Sequence, residues 1–196
     1  MTERAVIDGF DSWLQRLGEK TARAVLELLE VYRAGQVDEA VFAEALGQMV
    51  AAVNSSARAA ADVVAARAVE TVLGERVTAT GSAAVSAVED HGRLARAAAT
   101  FAGILADEDV DARLERFARD EPAQAAQQQV VHSYKSHGID GYTRGLNAGA
   151  CELCVWLRKE HLRPGGFVYP ASKPMHRHTG CRCTPIPTRK EIDNDE

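Results

Sequence analysis

The residues of this chain best suited to chemistry lie close together near its C-terminal end. All four cysteines fall between Cys151 and Cys183. Cys151-Glu152-Leu153-Cys154 is a Cys-x2-Cys half-site, whose two thiolates leave one tight turn and can meet a single soft ion. His178-Thr179-Gly180-Cys181-Arg182-Cys183 supplies the second half. Residues two apart in an extended segment point the same way, so Cys181 and Cys183 can both face that ion. Tetrahedral zinc takes four ligands. Five side chains offer themselves here, Cys151, Cys154, His178, Cys181 and Cys183, and His176 is a further possibility. The spacing favours Cys151, Cys154 and Cys181, with either Cys183 or His178 as the fourth. Two other readings use the same residues: a pair of disulfides, or a metal-free Cys/His cluster. The opening MTERAVIDGF is charged and has no apolar core of a secretory leader, which disfavours disulfides.

Other chemistry is poorly supported. No Gly-x-Ser-x-Gly elbow, His-Glu-x2-His pair or Gly-rich phosphate loop is present. His132-Ser133 falls on a predicted helix, where sequence neighbours point apart, so both read as surface residues. His91 and His137 border glycines at predicted helix ends, where solvated or capping roles are usual. A zinc deaminase would need a glutamate beside its histidine ligand, but His176 is followed by Arg177 and His178. The surplus of ligands predicts a closed, structural metal site and no catalytic residues. Charge is divided unevenly along the chain. Residues 1–150 carry 15 basic against 22 acidic side chains, and residues 151–190 carry 8 against 2. Arg158, Lys159, Arg163, Lys173, Arg177 and Arg182 are therefore candidate contacts for phosphate or an acidic partner. A solvated basic rim around the metal site is the alternative.

These residues need elements to position them. Alanine-rich, aromatic-poor composition favours helices packed closely through small side chains. Periodicity predicts a helix over residues 3–33, with Trp13 in the core, and a second from 38 to 73, capped by Asp38 and ended by Gly74, with a possible kink at Ser55. A third is expected over 82–106, a short fourth over 110–119, and a fifth from Pro122 to Ser136. The expected fold is thus mainly α. An elongated helical domain of about five helices (1–138) precedes a small loop-rich α+β Cys/His module (139–187) and an acidic disordered tail (188–196). Within the module, 142–144 and 167–169 read as brief strands, Leu153–Arg158 as one or two helical turns, and 183–187 as extended. Trp156, Phe167 and Tyr169 are expected to pack around the metal. So small a module lacks the apolar mass to fold alone, and zinc would substitute for a core. No apolar run approaches the length of a membrane span.

A resemblance enters at these residues. The runs Arg144-Gly-Leu-Asn-Ala-Gly-Ala-Cys151-Glu-Leu-Cys154, Gly166-Phe-Val-Tyr169 and His178-Thr-Gly-Cys181-Arg-Cys183-Thr-Pro185-Ile-Pro187 resemble the C-terminal signature of phage Mu F-like minor head proteins, in the form seen in actinobacterial phages and prophages. The resemblance covers residues 140–187. The usual Mu F-like domain has a longer helical part before the cysteines and often sits in a larger protein. The resemblance implies a structural minor capsid protein of a tailed phage, acting in head assembly or in DNA packaging and delivery. Its implied partners are the portal, the major capsid or scaffold protein, and possible contact with packaged DNA, in several copies per particle. Its implied locations are the head interior or portal vertex, and the host cytoplasm during assembly. Two alternatives stand beside it: a nucleic-acid-binding zinc protein, and a capsid maturation protease, a label such proteins sometimes carry.

Overall fold

Asp38 begins the longest element. Its carboxylate accepts from the Val41 amide at 2.9 Å, and Gly74 closes the helix in the left-handed region at φ 76°. Between them α2 (Glu39–Leu73) runs unbroken for 35 residues, about 52 Å at 1.5 Å per residue. No break interrupts it at Ser55. Ser56 folds its hydroxyl back onto the Ala52 carbonyl, and Asn54 is buried against Asp90 and Glu121. The computed structural model describes residues 3–193. It places α1 (Glu3–Arg33) and α4 (Val110–Ser136) along α2, with α3 (Ala87–Ala102) on its other flank.

Three of the predicted helices differ. The third begins at Ala87, not Ser82, because Ser86 and Glu89 form a reciprocal capping box. The fourth and fifth are one helix, α4, running through Pro122. A proline inside a helix forfeits one backbone bond. Here Pro122 is buried in a bundle that packs both halves of α4 against α1 and α2, which offsets the loss.

Two apolar clusters fill the bundle. One joins Val25, Leu29, Phe42, Leu46, Leu94 and Leu114. The other begins with Phe10, Leu14, Ala61, Val69, Val130 and Tyr134, and continues without a break into Tyr142, Cys154, Met175, Cys181 and Cys183. A belt of buried charge also ties the helices together. Arg58 on α2 and Arg93 on α3 both bind Asp90 at 2.8 Å, and Arg93 reaches Glu121 on α4. Each buried charge there has an opposite partner, which such burial requires.

Beyond α4 the chain forms a three-stranded antiparallel sheet, in order β2-β1-β3, from β1 (Gly141–Gly145), β2 (Tyr169–Pro170) and β3 (Thr184–Thr188). A short helix, α5 (Glu152–Arg158), lies between β1 and β2. The segment read as merely extended, Cys183–Pro187, is thus largely a paired edge strand. Pro185 and Pro187 alternate with the residues whose amides face β1, so their missing N–H groups fall on the open side. Tyr134 of α4 donates its hydroxyl to the Pro185 carbonyl at 2.9 Å, fixing β3 to the bundle. The chain remains held up to Asp193, where the sequence suggests a disordered tail. Asp193 pairs with Arg163 and exchanges backbone and side-chain bonds with Val168. Residues 194–196 of that tail lie outside the described residues.

Candidate metal centre

Two turns carry the donors. Cys151 sits at the N-cap of α5 and Cys154 one turn in, so both sulfurs come off the same helix start. The second turn is His178-Thr179-Gly180-Cys181, closed by the Cys181 amide on the His178 carbonyl at 3.0 Å. Gly180 takes φ 78°, the left-handed geometry this tight turn requires and a β-carbon disfavours.

The two turns bring five donors into two overlapping triads that share Cys154. In the outer triad, His178 Nε2 lies 3.1 Å from Cys151 Sγ and 3.2 Å from Cys154 Sγ. In the inner one, Cys154 Sγ lies 3.7 Å from Cys181 Sγ, with Cys183 beside them. An ion with Zn–S bonds of about 2.3 Å sets S···S edges of about 3.8 Å and S···N edges of about 3.6 Å. Each triad lies near these edges, and a four-donor site that takes Cys181 into the outer triad needs the two turns to draw closer together. His178 is also oriented for it. Its Nδ1 is 2.8 Å from the Thr179 carbonyl, which fixes the proton on Nδ1 and leaves the Nε2 lone pair facing the sulfurs. His176 belongs to neither triad and contributes only its carbonyl, which accepts from Arg144.

The electrostatics suit thiolates unevenly. The Cys183 thiol donates toward Cys181 and, with Arg144, pushes Cys181 down to about 4. The same contact and burial drive Cys183 far upward. Cys154 is pushed up to about 11 by burial and by the Cys181 charge. The Cys154 backbone amide lowers exposed Cys151. All four cysteines are free thiols.

Residues that the sequence did not mark hold this arrangement. Arg144, in the middle of β1, is fully buried and points Nη1 at Cys154 Sγ (3.7 Å) and Cys181 Sγ (3.6 Å). Gln127 of α4 donates to both the Cys181 (2.9 Å) and Cys183 (2.8 Å) carbonyls. Asp120 binds the Gly180 amide at 2.7 Å and receives the Arg177 fork. Asp11 of α1 takes Arg182 at 2.8 Å and Asn147 at 3.1 Å. One signal was available: Tyr142 and Arg144 alternate onto one face of a strand, so an arginine there had to be buried with its tyrosine neighbour. The α4 residues gave none, since their partners lie more than 50 positions away.

The basic residues proposed for phosphate have other partners. Arg177 and Arg182 pair with Asp120 and Asp11, Arg163 with Asp193, and Arg158 with Glu160. Lys159 lies 4.2 Å over the Phe167 ring. Lys173 is exposed and has no carboxylate or ring partner among the described residues. Arg177 and Arg182 thus tie the module to α4 and α1, while Arg158, Lys159 and Arg163 hold the C-terminal region to itself. Of the three aromatics expected around the metal, Phe167 and Tyr169 pack against each other with ring centroids 5.0 Å apart, and Trp156 is 59% exposed on the outer side of α5.

A serine–histidine contact does exist away from this centre. Ser82 Oγ lies 3.0 Å from His132 Nε2, while His132's neighbour Ser133 is buried against Asp62, so only one of the pair is near the surface. The amides of Ser82 and Ala84 are occupied by Thr80 and Gln129. That leaves no adjacent amide pair there to stabilise an oxyanion.

No helix among the described residues is long and apolar enough to cross a membrane. No curated protein and no solved structure matches the chain. The model of one family, described as VG15 protein, matches residues 1–196, and the chain therefore belongs to the VG15 protein family.

Proposed function

We propose that this protein is a structural component of a tailed-phage head in which one zinc ion ties the C-terminal turns to a helical bundle. The observation that carries the zinc reading is the convergence of Cys151, Cys154 and His178, with Cys181 alongside, around an imidazole already oriented by Thr179. Zinc bound there supplies cross-linking: it joins α5 to the turn before β3, two segments that share no strand pairing. Membership in the VG15 family and the Mu F-like pattern of residues 144–187 support the phage assignment. The reading is non-enzymatic. The ligand surplus favours a closed site, and the Ser82–His132 contact lacks the donors acyl transfer needs.

In this reading the acidic helical bundle meets the portal, scaffold or capsid protein, and the protein resides in the head interior or at the portal vertex. Specific nucleic-acid binding is the weaker alternative, because most of the basic residues near the centre are already paired within the chain. The test is co-expression with the portal and capsid proteins of the same phage, followed by mass spectrometry of purified heads. The protein should co-purify with the portal or be found in the heads. Absence from both procapsids and mature heads would overturn the assignment.

A further inference from the structure

Arg144 is 1% exposed, yet no carboxylate pairs with it among the described residues. The other buried or half-buried arginines, Arg58, Arg93, Arg158, Arg163, Arg177 and Arg182, each hold an aspartate or glutamate. A guanidinium removed from water without a counter-charge is strongly unfavourable. The groups that face its Nη1 are two sulfurs, Cys154 at 3.7 Å and Cys181 at 3.6 Å. Its Nη2 is anchored on the His176 carbonyl, two residues before His178. Its own carbonyl accepts from Arg158 at 3.1 Å, which ties β1 to the end of α5. The side chain is therefore held from both ligand turns and aimed between them.

We infer that Arg144 is the charge-balancing residue of the metal centre and that it selects Cys151, Cys154, His178 and Cys181 as the donor set, leaving Cys183 outside it. The inference rests on the zinc reading above. A divalent ion with three thiolates and a neutral imidazole carries a formal charge of −1, which one guanidinium cancels. Four thiolates would leave −1 uncancelled in a buried site. The positions agree. Arg144 reaches the Cys154 and Cys181 sulfurs at 3.7 and 3.6 Å and also interacts with Cys183, but Cys183 Sγ donates in addition to Asn147 Oδ1 at 4.0 Å, as a thiol that keeps its proton does. Arg144 is a positioning residue: N–H···S donation to ligating sulfurs orients them and moderates their reactivity.

The test uses the full chain with Zn2+ and Co2+. Zinc affinity is measured by competition with a chromophoric chelator, and Co2+ reports thiolate ligation through its sulfur-to-metal charge-transfer band. R144M, which keeps the bulk and loses the charge, should bind zinc about 10- to 100-fold more weakly and shift that band. R144K should recover much of the affinity. A merely space-filling role would make R144M the better substitute. C183S should keep the wild-type band intensity, whereas H178A should lose a ligand and weaken binding. Wild-type affinity in R144M, or R144K no better than R144M, would overturn the charge-balancing role. Loss of band intensity in C183S would overturn the donor set, a result that stands even if R144M does not fold. Wild-type protein that takes up neither metal would overturn the zinc reading itself, and this inference with it.

Discussion

Replacing Gln127 with leucine should cost far more than its place on a helix remote from the cysteines in sequence would indicate. The side chain is 2% exposed and makes three hydrogen bonds. Two are donations to the Cys181 and Cys183 carbonyls, and the third accepts from Arg177 Nε at 3.0 Å. Neutral bonds contribute about 1 kcal/mol each and one from a charged group about 1.5–3 kcal/mol. Leucine keeps the volume but strands two buried carbonyls and a guanidinium N–H, so the loss should be about 3.5–5 kcal/mol. For a chain of this size that corresponds to a fall in Tm of about 7–20 °C. Urea unfolding gives the free energy, and hydrogen exchange locates it: amides of residues 176–184 should lose protection before those of α1 and α2. Neighbouring Gln128, half-buried, is the control, and its replacement by alanine should cost less than about 1 kcal/mol. A Gln127→Leu cost below 1 kcal/mol, or uniform loss of protection, would refute the idea that α4 suspends the ligand turn.

Other outcomes follow from the helix ends and the buried carboxylates. Ser86→Ala removes the capping box of α3 and should cost about 1 kcal/mol in denaturant unfolding; an unchanged midpoint would contradict the observed start at Ala87. Burial raises the Asp62 carboxyl, but bonds from Ser133, the Gly81 amide and Thr80 outweigh it and hold Asp62 below the usual aspartate range. A depressed folded-state value contributes stability above the unfolded value of about 3.9 that is lost as pH falls through the folded one. Asp62→Asn should thus be less stable than wild type at pH 7, and the gap should narrow only below about pH 4. A gap that stays constant down to pH 2.5 would show that Asp62 contributes nothing through its charge.

The helical part of the fold was legible because local chemistry specifies it. Asp38 and Gly74 bracket α2, and the spacing of Phe10, Leu14, Val25 and Leu29 marks the buried stripe of α1. The start of α3 was legible too, in Ser86-Ala-Val-Glu89, but that signal is easily outweighed by the helix-favouring alanines before it. Pro122 misled for the opposite reason: a local breaker was overridden by packing on both sides. At the centre, cysteines two and three positions apart announce themselves, and the five proposed donors fall into two triads that share Cys154. What sustains them was not legible. Asp11, Asp120 and Gln127 act on the ligand turns across separations that only the folded chain closes. The cluster that joins Tyr134 and Val130 to Tyr142, Cys154 and Cys181 likewise shows that the C-terminal residues share the core of the bundle.

The central claim is that one zinc ion occupies the Cys/His centre, and native mass spectrometry of the full chain, purified without chelator, tests it most directly. The account predicts the mass of the chain plus one zinc, lost on acidification with the release of the three ligand thiols. Cys151→Ser, Cys154→Ser and Cys181→Ser should each arrive without metal. A wild-type chain that is metal-free as purified, stays so when zinc is added, and still protects residues 176–184 from hydrogen exchange would contradict it.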